Sequence, residues 1–280
     1  MIKNVLNFRV YKILLVILFS FHVHSASKYS IPDLSISHLV IGESVESQFD
    51  PQNIKLLVWN IYKGQKKNWS KDFISLAPKA DLLLLQEGYL NPVFQEVLYF
   101  LGIYQFEFGI SFVYEEEGSV PTGTALGSKV RPFHSGLLRS KDLEPVIDTP
   151  KTITYGFYPL KGISEKMLVL NIHALNFTSQ ESFERQILDA CELIKTHKGP
   201  VVFAGDFNTR TKNRLKFLRD QLQPLGLKEL AFVDDDRMTF MGNPLDHVFV
   251  RSFLVRDSRV LKSIESSDHK PLYIELSLDR

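Results

Sequence analysis

Four short apolar runs limit what this chain can fold into: IKLLVW from Ile54, LLLL from Leu82, MLVL from Met167 and VVFA from Val201. A strand with one face in water alternates apolar and polar residues, whereas a strand covered on both faces reads as an almost unbroken apolar run. Each run is also too short for a helix buried on all sides. The chain must therefore place these strands inside the molecule, with further layers over both faces of the sheets. Every run then stops abruptly at polar residues: Asn60, Gln86-Glu87, Asn171 with His173 and Asn176, and Asp206 with Asn208.

Further strands are expected at Phe112–Tyr114, Thr124–Ser128, Thr152–Tyr158, His247–Val250 and Leu272–Leu276, with the MLVL run extending to Ile172. The clearest helix covers Ser179–Thr196, where Thr178 and Glu181 read as a capping box and Phe183, Ile187, Cys191 and Ile194 share one face. Others are expected at Pro92–Phe100, behind Asn91 as cap, and at Lys212–Gln221. Some strands alternate with helices and others follow one another directly, which suits a sheet-on-sheet core with helices outside. The 280 residues, 44% of them hydrophobic, suffice for one large domain. Residues 54–280 show no repeat or linker, and residues 26–53 read as an irregular lead-in.

The N terminus has a different character. Lys3, Arg9 and Lys12 precede the run ILLVILFSF, and the small residues Ser25, Ala26 and Ser27 follow. That pattern is a secretory signal peptide over residues 1–25, cut after Ser25 or Ala26. As a helix the apolar stretch spans only ~20 Å, against about 30 Å of hydrocarbon, so no stable membrane span is expected after cleavage. The expected location is the periplasm or the medium. Cys191 is the single cysteine, so no intramolecular disulfide can form, and it reads as filler on a helix face.

The formal charge is +1, and loss of the three basic leader residues leaves about −2, which argues against a protein that coats nucleic acid non-specifically. A local patch is still available in Arg210, Lys212, Arg214, Lys216 and Arg219, although a solvated helix face is the plainer reading. The acidic run Glu115–Glu117 reads as a solvated turn.

One Asp or Asn after a strand is ordinarily a turn residue or a cap. Six strand ends or starts carrying Asn60, Glu87, His173, Asp206 with Asn208, Asp246, and Asp268 with His269 form a set that turn chemistry does not select. Carboxylate and amide oxygens with water are the ligands hard cations prefer, so Mg²⁺ (or Mn²⁺) is the expected cofactor. Glu87 is the leading ligand, with Asn60 and Asp268 close to the ion. His173 and His269 are available for proton transfer. A structural zinc site is disfavoured by the single cysteine.

Assembled, these segments resemble the endonuclease/exonuclease/phosphatase family, which includes DNase I, abasic-site endonucleases, neutral sphingomyelinases and inositol polyphosphate 5-phosphatases. The carrying motifs are WNI at Trp59, QE at Gln86, NIHALN at Asn171, GDFN at Gly205, LDHVFV at Leu245 and SDHKP at Ser267, in the family's order. Thr149-Pro150-Lys151 and Gly242–His247 are similar to a bacterial branch of it. The resemblance implies an α/β (α+β) four-layer sandwich: two packed mixed, mainly antiparallel sheets flanked by helices, with the site at one end.

It also implies roles. Glu87 would bind the metal, Asn60 would help hold metal or phosphate, and Asp268 would sit near the ion. His269 would pair with Asp246 beside the phosphorus, Asp206 would position or deprotonate water, and Asn208, His173 and Asn176 would contact phosphate oxygens. Asp206 and Asn208 are expected to project from the same side of an extended segment, with Phe207 turned into packing. His247, next to Asp246, should face away from the site.

The implied reaction is hydrolysis of a phosphoester, nucleic acid or phospholipid head group, by a monomer. His173 stands where abasic-site enzymes carry tyrosine, which weakens that reading. A nuclease-type phosphodiesterase is expected. The alternatives are a phospholipid-directed phosphodiesterase or phosphoinositide phosphatase, for which Phe106, Phe108 and Phe112 could offer apolar contact although core or edge-strand packing is their plainer reading, and a non-catalytic effector on the same fold.

Overall fold

The computed structural model describes residues 28–279, so the expected signal peptide lies outside the described residues. An eight-stranded sheet runs β1 (Tyr29–Ser30), β5 (Gln105–Tyr114), β6 (Val120–Ser128), β4 (Leu82–Tyr89), β3 (Ile54–Asn60), β16 (Leu272–Leu278), β15 (Phe253–Val260), with β2 (His38–Ile41) also paired to β5. A six-stranded sheet runs β11 (Lys228–Glu229), β14 (Asp246–Arg251), β10 (Val201–Asp206), β9 (Ile163–His173), β8 (Thr152–Leu160), β7 (His134–Arg139). A two-stranded hairpin joins β12 (Thr239–Phe240) to β13 (Asn243–Pro244). Among the described strand pairs, β3–β4 and β9–β10 are the parallel ones.

Alternation along the strands builds the layers. Leu56 and Val58 of β3 meet Val202, Ala204 and Val248 of the second sheet in a core between the sheets. The intervening Leu57 and Trp59 pack outward against α1 (Trp69–Leu76) and α2 (Pro92–Leu101). On the far side Phe203 and Leu170 pack against α3 (Gln180–Thr196) and α4 (Lys212–Leu222). The order helix, sheet, sheet, helix is the expected four-layer sandwich, and both faces of the central strands are covered as the apolar runs required. Among the described residues no helix is long and apolar enough to cross a membrane.

Two local expectations change. Residues 38–41, read as part of an irregular lead-in, pair antiparallel with β5, a contact fixed by the partner strand and not by any local pattern. The cap of α3 is Ser179, whose hydroxyl accepts from the Ser182 amide, while Thr178 accepts from Arg214 instead. Phe106, Phe108 and Phe112 are buried, in keeping with the packing role favoured for them, so they offer nothing to a membrane. Cys191 is buried on the inner face of α3 as expected, and burial pushes its thiol up to about 12.

Candidate active site

The same alternation that fills the core delivers the polar residues to one end of it. On β10, Val202 and Ala204 face the inter-sheet core, so Asp206 faces inward as well. Asp246 follows the parity of Val248 on β14, His173 that of Val169 on β9, and Asn60 that of Val58 on β3. Register then aligns the strands: Asp206 lies opposite His173 on one side and Asp246 on the other, and Asn60 lies opposite Gln86. His247 has the other parity and packs against Phe207 and Phe249, away from the site as expected.

Glu87 breaks the parity rule. Leu83 and Leu85 face the helix layer, so a regular β4 would send Glu87 the same way. The pairing with β6 instead shifts between Leu85 and Gly88, and Glu87 takes a left-handed φ of 55°. A bulge of this kind re-aims a side chain. It leaves Glu87 Oε1 3.4 Å from Asn60 Nδ2 and Oε2 3.7 Å from Lys63 Nζ.

Asp206 Oδ2 is the focus of the arrangement. Asn60 Nδ2 donates to it at 3.1 Å, His173 Nε2 lies 3.6 Å away and His269 Nε2 3.9 Å away. His269 Nδ1 donates to Asp246 Oδ2 at 2.7 Å. The loop carrying His269 is pinned to the end of β3, because Trp59 Nε1 donates to the His269 carbonyl and Ser267 Oγ donates to the Asn60 carbonyl. Asn60, Asp206, Asp246, His173 and His269 are all buried, while Glu87 is partly open.

Burial and charge set three protonation states. Burial works against a charged His269, but Asp246, Asp206 and Asp268 outweigh it and raise its pKa, so the ring is an imidazolium. Burial, Lys151, His269 and Lys63 all lower the pKa of His173, which is neutral. Asp206 is raised: burial favours its neutral form, His269 opposes, and the Asp246 charge adds to the burial.

Other expected residues sit differently. The strand ends at Asp206, and Asn208 has a left-handed φ of 48°, so the two do not share an extended segment. Asn208 folds back, its amide nitrogen donating to Asp206 Oδ1 and its Nδ2 to the Ala174 carbonyl, both at 2.9 Å. Phe207 is buried in packing as expected. Asp268 is exposed and accepts from Ser267 Oγ at 3.2 Å, outside the Asp206 cluster. Asn176 is half-buried, with Oδ1 accepting from the Phe177 amide at 3.0 Å. Asn60 turns its oxygen to the Tyr62 amide and its nitrogen to the carboxylates.

The basic run divides. Arg214 is buried and clamps the Leu175, Asn208 and Thr178 carbonyls, Lys216 pairs with Asp220, and Arg219 pairs with Glu229. Arg210 is the member that feels the charge of Asp206.

Sequence reasoning gave no role to Lys63, Tyr114 and Lys151, which with Glu87 and His173 line a cavity of about 70 Å³ beside the cluster. Lys63 reaches it from a turn in which Tyr62 and Lys63 have φ of 49° and 55°. Non-glycine residues in that region leave no composition signal. Lys151 was visible in the Thr149-Pro150-Lys151 stretch, but nothing there linked it to the site.

The donors suit a hard divalent cation. Glu87 presents its carboxylate at the partly open end, and Asp206 and Asp246 bring two more carboxylates within 4.8 Å of each other. The one thiol is buried under α3, so no soft ligand competes.

A four-layer sandwich with this polar set at one end of its core defines a hydrolase of phosphoester type. The chain belongs to the endonuclease/exonuclease/phosphatase family, whose profile matches residues 57–269. A UPF0294 protein of Vibrio cholerae is 35% identical over 227 residues, covering 80% of this chain and 78% of the relative. A UPF0294 protein of Klebsiella pneumoniae is 33% identical over 227 residues, covering 81% and 83%.

Among solved structures, an endonuclease/exonuclease/phosphatase from Beutenbergia cavernae has a TM-score of 0.66 at 16% identity, covering 81% of this chain and 72% of that one. A mannosyl-6-phosphatase from Bacteroides thetaiotaomicron has a TM-score of 0.61 at 18% identity, covering 80% and 100%. The human Nocturnin catalytic domain, solved with a bound sulfate anion, has a TM-score of 0.60 at 18% identity, covering 88% and 100%. These likenesses show the shared fold.

Proposed function

We propose that the chain is an exported, divalent-metal-dependent phosphodiesterase of nuclease type that cleaves by in-line attack of water. The observation that carries this reading is the convergence of Asn60, His173 and His269 on Asp206 Oδ2 at 3.1, 3.6 and 3.9 Å, with Asp246 behind His269. Asp206, raised in pKa by its burial, is suited to take a proton from the attacking water. His269, charged by Asp246, stabilises negative charge as it grows on the phosphoryl oxygens. Neutral His173 hydrogen-bonds the same group from the opposite side. Glu87, with Asn60 beside it, would hold a divalent cation, which would supply Lewis-acid stabilisation of the phosphate and leaving oxygens.

Nucleic acid is favoured by Lys63, Lys151 and Arg210 around the site, because phosphate contacts from such residues fix a backbone in place. The buried Phe106, Phe108 and Phe112 give the phospholipid reading no support. Export rests on the leader pattern of residues 1–25.

The test is hydrolysis of plasmid DNA, RNA, sphingomyelin and a phosphoinositide by the chain from residue 26, with Mg²⁺, with Mn²⁺ and with EDTA. Cleavage of nucleic acid, abolished by EDTA and by Glu87→Ala, is expected. Cleavage of a lipid substrate alone would replace the nuclease reading, and silence on all four would return weight to a binding role. N-terminal sequencing of the protein recovered from the periplasm or medium tests export.

A further inference from the structure

Arg210 is a partly desolvated cation held between two rings, with no anion paired to it among the described residues. It follows the GDFN segment, and its guanidinium carbon lies 4.0 Å from the ring centroid of Phe177 and 4.5 Å from that of Phe240. Phe177 comes from the segment after β9 and Phe240 from the β12–β13 hairpin, so two separate elements grip one side chain. Its backbone is fixed as well: the Arg210 amide donates to Asn208 at 2.8 Å, and its carbonyl accepts from Asn243 Nδ2 at 3.2 Å.

Its Nε is buried without a hydrogen-bond partner, and among the described residues the guanidinium makes neither hydrogen bond nor ion pair. Arg214, four residues on, spends its guanidinium on three backbone carbonyls. Desolvating a charge without a partner is unfavourable. Such an arrangement is what a site for an anionic ligand looks like before the ligand arrives. Asp206 and Glu144 are the carboxylates whose charge Arg210 feels, which puts it within electrostatic reach of the catalytic cluster.

The clamp also leaves an aromatic face open. Phe177 is 69% exposed although its inner face covers Arg210. It holds a left-handed φ of 52°, a conformation uncommon for a non-glycine residue. An exposed ring beside a fixed guanidinium is the pairing that binds single-stranded nucleic acid: the fork takes a phosphate in a bidentate fashion and the ring takes a base. A guanidinium fixed by two rings suits one phosphate at a set position, whereas a lipid surface is met by spread charge and no fixed slot.

We infer that Arg210, clamped between Phe177 and Phe240, binds a non-scissile phosphate of a single-stranded oligonucleotide while the open face of Phe177 stacks an adjacent base. The inference rests on the nuclease reading and narrows it to substrates with at least two phosphates.

Binding separates the two. Anisotropy of a labelled hexathymidylate is measured in EDTA, where cleavage is stopped, for the wild type, Arg210→Lys, Arg210→Gln and Phe177→Ala. Arg210→Lys keeps the charge but loses the fork, and is expected to weaken binding about tenfold. Arg210→Gln should also reduce the slope of log K against log salt by about 0.7, the signature of one lost phosphate contact on a single strand. Phe177→Ala should weaken binding about tenfold without changing that slope.

Wild-type cleavage of the same oligonucleotide with Mg²⁺ is scored in parallel. Arg210-dependent binding without cleavage keeps the inference and removes the nuclease reading. Cleavage with binding indifferent to all three variants does the reverse. Absence of both, or binding to sphingomyelin vesicles in place of the oligonucleotide, overturns both.

Discussion

Gln86 of β4 donates through Nε2 to Asn171 Oδ1 of β9 at 2.6 Å, joining the two sheets next to the Asp206 cluster. Asn171 returns two bonds from Nδ2, to the carbonyls of Leu85 at 2.9 Å and Ala125 at 3.0 Å. Both side chains are fully buried, and Glu87 and His173 follow one and two residues later. One amide pair therefore sets the distance between residues that ride on different sheets.

Asn171→Leu would leave the Gln86 amide and two carbonyls short of partners in the core. Unsatisfied buried groups cost about 1–3 kcal/mol each, so a loss on the order of 3 kcal/mol in urea unfolding is expected, with lower turnover in the protein that remains folded. A variant as stable as wild type would show that water or repacking replaces these bonds.

Removing members of the cluster should affect chemistry more than folding. Glu87→Ala, Asp206→Asn and His269→Ala are each expected to lower kcat by about a hundredfold or more, the scale of lost acid-base or electrostatic groups. Asp246→Asn tests a positioning role: without that carboxylate His269 loses the partner that keeps it charged, and the pH profile of kcat should move while KM changes little. Near-normal rates in the first three variants would remove the assignment.

Glu229 supplies an acid-stability test away from the site. Burial raises its pKa, but hydrogen bonds from His247 Nδ1 at 2.7 Å and Arg219 Nε at 2.6 Å more than offset this and bring it down to about 2, against an ordinary 4.5. A depressed carboxylate contributes stability that is present above its unfolded pKa and is lost as pH falls through the folded one. The wild type should therefore lose roughly 3 kcal/mol more than Glu229→Gln between pH 5 and pH 2 in denaturant titrations. Parallel pH profiles for the two proteins would contradict this.

Gly205 is the position in GDFN where a side chain cannot be accommodated. Its φ is 139°, and a Cβ there would lie 2.1 Å from the Ile172 carbonyl oxygen. Gly205→Ala must push β10 from β9 and carry Asp206 away from His173. A loss of about 2 kcal/mol or more in unfolding free energy is expected, with activity falling further than stability. Calorimetry alongside turnover measures both.

The sandwich was legible because strands buried on both faces leave unbroken apolar runs, and most of the cluster because inward parity carries through to the polar residue that ends each run. What stayed hidden depends on tertiary partners. The aim of Glu87 follows from a bulge against β6, and the clamp on Arg210 from rings supplied by two distant segments. Edge strand β15, FLVRDSRV, carries the charges that keep an edge from pairing with other chains, and so did not read as a strand. Helix α1 went unseen because its cap, Asn68, is left-handed and makes no side-chain cap bond.

Cys191 has a consequence for where this chain can fold. It is the single sulfhydryl, buried on the inner face of α3 with its ionisation pushed up to about 12, so it presents almost no thiolate to oxidants or glutathione. The native state has no covalent staple to form or to lose. The same product should result in a reducing tube and an oxidising one, and the protein would cross a redox boundary with its stability unchanged.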